Sequence, residues 1–340
     1  MLLGLRETPP KTRLRQVICM SNEREVMSDR VAGKTETRVP RGVLCVGAIM
    51  VDAICRIPRL PERGEGVVCS ERVMRLGGCA FNSGNVVRQL GVPCFLLAPV
   101  GRGVHADFVR SELAALGLAA LEVETQLDCG VCTCLVEPDG ERTMITAPGI
   151  EREFSPAWFE DVDTEGFGVL LASGYEIEGA GGDAIIGFAE SHPELEFYYA
   201  PGPRIMGVDA GKHERINALR PVWHLNDLEA LQYTGAESVD AAGEAIARAC
   251  GNACVITCGD AGARAYLVDG SRAFAPSVPV EVGDTVGAGD AHLGALAAAR
   301  AAGRPWEESL MIANAAAAVV CSVVGGTASD EAFVASGVRL

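Results

Sequence analysis

The stretch GDTVGAGDAHLG, residues 283–294, leads into an alanine-rich helical segment, and the interpretation of the fold depends on it. It places Gly287, Ala288 and Gly289 at a turn that enters the helix. The first amides of a helix have no intrahelical acceptor, and the helix dipole adds positive potential at the same end. The turn therefore predicts an anion site of the kind that holds a phosphate group.

Asp290 lies in the first turn of that helix, beside the predicted anion site. A carboxylate next to a bound phosphate is electrostatically unfavourable unless it has a task. The obvious task is to accept the proton of an attacking hydroxyl group. The structural alternative is that Asp favours helix N-termini in any case. Taken alone, the stretch leaves both interpretations open.

Strand and helix patterns alternate through most of the chain, and each predicted strand is followed by a helical segment. This alternation predicts βαβ units, hence a mostly parallel sheet with helices on both faces. The strand signals include residues 43–46, 94–99, 169–171, 197–199 and 253–257.

Two segments depart from that alternation and predict a small antiparallel sheet. Residues 66–76 and 130–146 alternate like exposed strands, and a hairpin turn is expected at Pro138–Gly140. We therefore expect a three-layer α/β/α sandwich over residues 42–335. A small antiparallel β lid, with strands over about 63–76 and 128–148, is expected beside it.

Composition limits the classes of function. The 340 residues carry a net charge of −16, which argues against nucleic acid or an anionic membrane as a partner. No apolar run reaches the roughly 20 residues of a membrane span, and the N-terminus does not resemble a secretory signal, so a cytoplasmic protein is expected. Residues 1–41 are polar and predicted to be a disordered extension. Cys129, Cys132 and Cys134 lack a second ligand cluster at zinc spacing, which favours reduced thiols over a metal site.

A second small-residue motif, GGCAFN at residues 77–82, is followed by Leu90 and Gly91. Together with DTVGAGDA at residues 284–291, it resembles the two signatures of the ribokinase-like (PfkB) family, in the same order and over residues 42–335. The resemblance implies an ATP-dependent kinase with Mg²⁺. Its acceptor would be a hydroxyl group, expected to be primary, of a sugar or sugar-like molecule. A lid would close over that acceptor.

The resemblance also implies roles for individual residues. Asp290 resembles the catalytic base, and the amides of Gly287, Ala288 and Gly289 resemble the anion hole for the transferred phosphoryl group. The residues that resemble the sugar-binding set are Asp52, Gly77, Gly78 and Asn82.

On the nucleotide side, NDLE at residues 226–229 resembles the family's NxxE motif, in which Asn226 and Glu229 organise phosphates and water-bound Mg²⁺. The alternative is an ordinary capping box. Further residues that resemble ATP-binding positions are Thr257, Gly259, Gly262 and Asn314. Asp284 and Ser329, together with backbone around Gly325, match positions that hold K⁺ in some members, so a potassium site is a hypothesis.

Rival functions are separable by sequence only in part. A dinucleotide-binding oxidoreductase needs GxGxxG after the first strand, but Gly47 is followed by Ala48, Ile49 and Met50. A nucleoside kinase of the same fold and a non-catalytic sensor of sugar or nucleotide stay open. A homodimer through the lid is a further hypothesis, because unpaired strand edges attract partners.

Overall fold

The computed structural model describes residues 41–340, which form two sheets and ten α-helices. The predicted extension before residue 41 lies outside the described residues. The strands are β1 (Gly42–Val46), β2 (Met50–Arg56), β3 (Glu71–Gly77), β4 (Cys94–Val100), β5 (Ala120–Glu122), β6 (Val131–Val136), β7 (Arg142–Ala147), β8 (Phe167–Ser173), β9 (Glu196–Ala200), β10 (Val222–Asn226), β11 (Ala253–Thr257), β12 (Ala263–Leu267) and β13 (Arg272–Ala275).

The helices lie between and after these strands. They are α1 (Cys79–Gln89), α2 (Val104–Leu116), α3 (Gly174–Glu178), α4 (Gly182–Ser191), α5 (Ala210–Ala218), α6 (Asp227–Thr234), α7 (Val239–Cys250), α8 (Ala288–Ala301), α9 (Trp306–Cys321) and α10 (Asp330–Ser336).

The larger sheet has nine strands in the order β13-β12-β11-β10-β9-β8-β1-β4-β5. It is parallel from β11 to β5, and β12 and β13 continue it antiparallel. Strand β1 shows why both faces are covered: Val43 and Cys45 lie in one core, while Leu44 and Val46 lie in the other. A strand buried on both faces is a continuous apolar run. The predicted α/β/α sandwich is confirmed.

The smaller sheet has the order β3-β2-β6-β7 and is called the lid here. The strands within the expected lid ranges are shorter than those ranges, because β3 begins at Glu71 after a turn segment with Gly64 in the left-handed region (φ 89°). Strand β2 also belongs to the lid, although it lies outside the residue ranges expected for the lid. Gly47 turns the chain between β1 and β2, with φ 147°, and β2 then pairs antiparallel with β3 and parallel with β6.

Helices α1 and α8 cross at close range on one face of the larger sheet. A Cβ added at Gly294 of α8 would lie 2.3 Å from the carbonyl oxygen of Ser83 in α1, so only glycine permits this approach. The Ser83 hydroxyl donates to the Asp290 carbonyl oxygen at 3.0 Å. The two helices therefore present their N-terminal turns side by side. Within residues 41–340, none of the helices combines the length and apolar character that crossing a bilayer requires.

Candidate active site

A cleft of about 690 Å³ lies between the lid and the carboxyl ends of the parallel strands, where ligands of open α/β sheets bind. It collects residues from both motifs and from the NDLE segment. The predicted site residues that line it are Asp52, Gly78, Asn82, Asn226, Glu229, Thr257, Gly287, Gly289 and Asp290.

Asp290 and Asn82, which are 208 residues apart, meet in this cleft. The Asn82 amide nitrogen Nδ2 donates to Asp290 Oδ2 at 2.9 Å. Burial raises the pKa of Asp290 to about 6, while hydrogen bonds from Asn82 and Cys79 act in the opposite direction. The carboxyl is thus held in one orientation and ionised at neutral pH, as a proton acceptor requires. Asn82 Oδ1 is buried and has no partner among the described residues.

The turn before α8, where the anion site is predicted, leaves two of its three amides without a backbone acceptor. Gly287 adopts the left-handed region at φ 77°, and a Cβ there would lie 2.2 Å from the Gly326 carbonyl oxygen. The amides of Gly287 and Gly289 have no backbone acceptor among residues 41–340. The Ala288 amide, which the sequence placed in the same anion hole, donates to the Thr285 carbonyl oxygen at 3.3 Å. It also lies outside the lining of the cleft.

Asp52 projects into the cleft from β2 of the lid, opposite the glycine pair. A Cβ at Gly77 would lie 2.1 Å from Asp52 Oδ2, which explains why glycine stands at this position. Gly78 has φ 96°, and a Cβ there would meet the Ala48 carbonyl oxygen at 2.5 Å. Burial raises the pKa of Asp52 to about 6. Gly77 itself is not part of the cleft lining.

Asn226 and Glu229 form the capping box at the start of α6 and also line the cleft. Asn226 Oδ1 accepts from the Glu229 amide at 2.7 Å, and Glu229 Oε2 accepts from the Asn226 amide at 3.0 Å. The two interpretations of this segment are therefore compatible. Glu229 Oε1 has no donor among the described residues, and burial raises the pKa of Glu229. An oxygen of this kind suits a water molecule bound to Mg²⁺.

The remaining predicted nucleotide residues lie outside the lining of the cleft and converge on the segment after β13. The Asn314 amide donates to the carbonyl oxygens of Ala275 (3.0 Å) and Pro276 (2.8 Å). A Cβ at Gly262 would lie 2.2 Å from the same Ala275 oxygen. Gly259 is in the left-handed region at φ 55° in the turn that leads to it. Asn314 and Gly262 therefore hold the segment after β13 in place. The turn that contains Gly259 links this segment to Thr257 at the cleft.

Asp284 and Ser329, the residues of the potassium hypothesis, have other partners. Asp284 forms an ion pair with Arg142 of the lid and accepts from the amides of Val286 (3.0 Å) and Gly325 (2.8 Å). Burial alone would raise the pKa of Asp284, but these hydrogen bonds outweigh it and lower the pKa. Ser329 caps α10, where its hydroxyl accepts from the Ala332 amide at 3.2 Å.

Several residues that line the cleft were not predicted from the sequence: Cys79, Arg142, Glu151, Arg152, Tyr175, Glu176 and His224. Glu176 follows the carboxyl end of β8, so the rule that ligands bind at strand ends could have found it. It is buried, bonded to the Ser173 hydroxyl, and burial raises its pKa to about 7. Nearby, the Arg152 guanidinium donates to the Tyr175 carbonyl oxygen at 2.9 Å.

His292 is a packed residue of α8. It is 2% exposed, and its Nδ1 lies 2.8 Å from Nε2 of His224 on β10. Burial lowers the pKa of both imidazoles, that of His224 to about 4, so both are neutral near pH 7. The pair ties α8 to the central sheet. Neither imidazole is within salt-bridge distance of a carboxylate in the described chain.

The family described as pfkB family carbohydrate kinase matches residues 41–192 and 198–332. The chain belongs to this family. It is therefore a phosphotransferase with an alcohol group as acceptor, within a family of sugar and nucleoside kinases of ribokinase-like fold. It is 30% identical over 295 residues to the uncharacterized sugar kinase YegV of Escherichia coli K12, a match that covers 86% of this chain and 92% of that protein.

Solved structures of related fold include both sugar and nucleoside kinases. Ribokinase from Thermotoga maritima superposes with a TM-score of 0.75 at 20% identity and covers 87% of this chain and 98% of that chain. Adenosine kinase from Sinorhizobium meliloti superposes with a TM-score of 0.75 at 22% identity and covers 88% of this chain and 99% of that chain. At these identities the likeness establishes the fold of this pfkB-family kinase and leaves its acceptor open.

Proposed function

We propose that this kinase transfers the γ-phosphoryl group of ATP to a primary hydroxyl group of a sugar or sugar-like molecule, with Asp290 as the general base. The observation that carries the proposal is the position of Asp290. Its carboxylate is fixed by Asn82 and lies next to two amides with no backbone acceptor. Attack of a hydroxyl group on a phosphoryl group requires a proton acceptor next to an anion site.

The acceptor is held between the lid and the first turn of α1. Asp52 can accept hydrogen bonds from two neighbouring hydroxyl groups through its two oxygens. Gly78 lets backbone approach the ring closely, and the unpartnered Asn82 Oδ1 provides a further acceptor. Glu176 adds a buried carboxyl beside them. Asp52, Asn82 and Glu176 thus place several acceptors close together, and such a set favours a ligand rich in hydroxyl groups.

The transferred phosphoryl group is stabilised mainly by the floor of the cleft, which we define as residues 78–83, 284–294 and 322–326. The amides of Gly287 and Gly289 point at the charge that develops on its oxygens, in a site where little reorganisation is needed. Mg²⁺ bound with the nucleotide would offset phosphate charge, and Glu229 with Asn226 would hold it through water. Thr257 borders the same side of the cleft.

Water is the competitor of the sugar hydroxyl in this reaction. The lid covers the cleft with Ile54, Cys132, Cys134, Met144 and Thr146, which are mostly apolar or weakly polar side chains. Closing such a surface over the acceptor removes water from the reacting hydroxyl. We therefore expect little ATP hydrolysis in the absence of an acceptor.

A nucleoside kinase is the second candidate, because the solved neighbours of similar fold include both classes. Its acceptor would need an apolar surface for the base next to the ribose-binding acids. The acids at Asp52 and Glu176 favour a compact polyhydroxylated acceptor, whereas both oxygens of Glu151 already accept from the amides of Gly130 and Gly149. Nucleosides nevertheless belong in the test panel.

The test is ADP release from Mg-ATP with a panel of sugars, sugar alcohols, sugar acids and nucleosides. Turnover with one sugar-like compound, absent with Asp290→Asn, is the expected result. Turnover confined to nucleosides would move the assignment to the second candidate. ATP binding without turnover on any acceptor would favour a sensor over an enzyme.

The lid also supports the hypothesis of a homodimer. Strand β7 lies at an edge of the lid sheet, and Met144 and Ile145 on it are 49% and 61% exposed. Exposed apolar edge strands tend to pair with another chain. A dimer in light scattering is expected, and a monomer at the concentrations used for assay would contradict it.

A further inference from the structure

The carboxylate of Asp284 holds together two loops at the floor of the cleft. The first, residues 284–289, is called the cradle loop, and the second, residues 322–326, the bracing loop. Asp284 Oδ1 accepts from the Val286 amide at 3.0 Å in the cradle loop, and Oδ2 accepts from the Gly325 amide at 2.8 Å in the bracing loop. The bracing loop also packs against Gly287 through the carbonyl group of Gly326.

A carboxylate in this position needs a positive charge nearby, because its side chain is only 5% exposed. Burying an uncompensated carboxylate is strongly unfavourable. Within residues 41–340, the one Lys, Arg or His group within 4.0 Å of Asp284 is the guanidinium of Arg142, which is itself 18% exposed. Arg142 begins strand β7 of the lid, so the counter-charge comes from the lid and not from the core.

The donor set around Asp284 does not fit a monovalent cation. Both carboxylate oxygens already accept hydrogen bonds, and the guanidinium supplies the charge that a cation would bring. The other residue of the potassium hypothesis, Ser329, accepts a helix-capping bond from the Ala332 amide. Its oxygen is therefore engaged in starting α10.

We infer that Arg142 supplies from the lid the positive charge that a monovalent cation would otherwise supply at Asp284, and that turnover is independent of K⁺. Arg142 is a positioning residue, because it acts on the anion site through Asp284 and the cradle loop. A second lid arginine reaches the bracing loop, since the Arg75 guanidinium donates to the Val324 carbonyl oxygen at 2.8 Å. Closure of the lid would then also order the two loops that form the anion site.

The first experiment compares turnover in K⁺ with turnover in tetramethylammonium, a cation too large for such a site. This readout rests on the proposed kinase function. The turnover of the wild-type protein is expected to differ by less than about twofold between the two salts. Arg142→Ser is expected to lose about 10–100-fold in kcat/KM in tetramethylammonium, because one partner of a mostly buried pair is gone, and to recover in part in K⁺. Arg142→Lys, which keeps the charge, is expected to stay insensitive to K⁺.

The matched control is Arg56→Gln, which removes an equal charge from an ion pair of the lid that is more than half exposed on both sides. It is expected to change turnover little in either salt. Strong activation of the wild type by K⁺ would overturn the inference. So would full activity of Arg142→Ser in tetramethylammonium, or a new K⁺ requirement in Arg142→Lys, which also carries the test if the serine variant does not fold.

The second experiment needs no acceptor, so it stays readable if the kinase assignment fails. Hydrogen exchange of the Val286 and Gly325 amides is measured in wild type, Arg142→Ser and Arg56→Gln. Faster exchange in Arg142→Ser alone, slowed again by K⁺, is the expected result. Equal exchange in all three proteins would show that the ion pair does not hold the two loops and would overturn the inference.

Discussion

In the floor of the cleft the close contacts are between backbone groups, with Gly294 of α8 against the Ser83 carbonyl group of α1 and Gly287 against the Gly326 carbonyl group of the bracing loop. The lid reaches the same place through side chains, Arg75 to a carbonyl oxygen and Arg142 to Asp284. Backbone contacts between small residues leave one packing arrangement, whereas long side chains can release and rejoin. We therefore propose that the chemistry belongs to the floor and the gating to the lid.

The largest effect is expected from removing the proposed base in the floor. Asp290→Asn keeps the shape of the side chain and its contact with Asn82 but cannot take a proton, so kcat should fall by about 10²–10⁴ with the KM of the acceptor little changed. Steady-state kinetics measure both. Asp107→Asn, at a surface carboxylate that is 78% exposed, is the control. Near-normal turnover of Asp290→Asn would remove the assignment of the base.

The next effect is expected from disturbing the backbone contact of the floor. In Gly294→Ala the new Cβ would lie 2.3 Å from the Ser83 carbonyl oxygen, so the two helices must move apart. The expected cost is about 1–3 kcal/mol of unfolding free energy, together with a lower kcat as the Asn82–Asp290 contact is disturbed.

Gly187→Ala provides the matched control for that substitution. Gly187 is also a helical glycine, in α4, and an added Cβ there would meet nothing within 4 Å. Alanine is the better helix former, so Tm should stay the same or rise. Equal Tm values for the two variants would show that the floor tolerates more movement than its contacts indicate.

A smaller effect is expected at the lid. Arg75→Gln removes the hydrogen bond to the Val324 carbonyl oxygen, and acceptor KM should rise by about fivefold, the worth of one modest hydrogen bond. Arg72→Gln, on the same strand and with no side-chain hydrogen bond or ion pair within residues 41–340, is the control. If Arg75→Gln lowered kcat as much as Asp290→Asn is expected to, the proposed division of roles between floor and lid would be wrong.

The smallest effect near neutrality is expected from pH. The pKa values of Asp52 and Asp290 are both raised to about 6, and each is needed as the carboxylate, so activity is full well above pH 6 and is lost below it. From pH 8 to pH 6, kcat/KM should fall about fourfold, because about half of each group is protonated at pH 6. Asp52→Asn should reduce that fall to about twofold. A flat profile from pH 8 to pH 5 would contradict both roles.

The sequence predicted the floor better than the lid, for a physical reason. The floor is made of local motifs, in which Gly287, Gly289 and Asp290 are held by the geometry of one turn, and each motif can be read at fixed spacing. Asn82 and Asp290 were expected near one cleft, and the structure brings them to 2.9 Å. Even there, the bond from the Ala288 amide to Thr285 could not be foreseen, because it depends on how the turn closes.

No local sequence pattern of this kind indicates the contacts of the lid. Arg142 and Asp284 are 142 residues apart, and nothing in the spacing of either residue indicates the other. Strand β2 lies outside the lid ranges expected from the sequence, because its place in the lid depends on the turn at Gly47. Asn314 lies in an apolar helix, where the sequence pattern does not distinguish a nucleotide contact from the backbone bonds that it makes.

The most direct measurement is ³¹P and ¹H NMR of the product formed from Mg-ATP and the best acceptor of the panel. We predict one phosphate monoester for each ADP released, with the phosphorus coupled to the two protons of a methylene group, as expected for a primary hydroxyl group. ADP accompanied only by inorganic phosphate, or an ester on a secondary carbon, would contradict the account of how Asp290 and the closed lid direct the transfer.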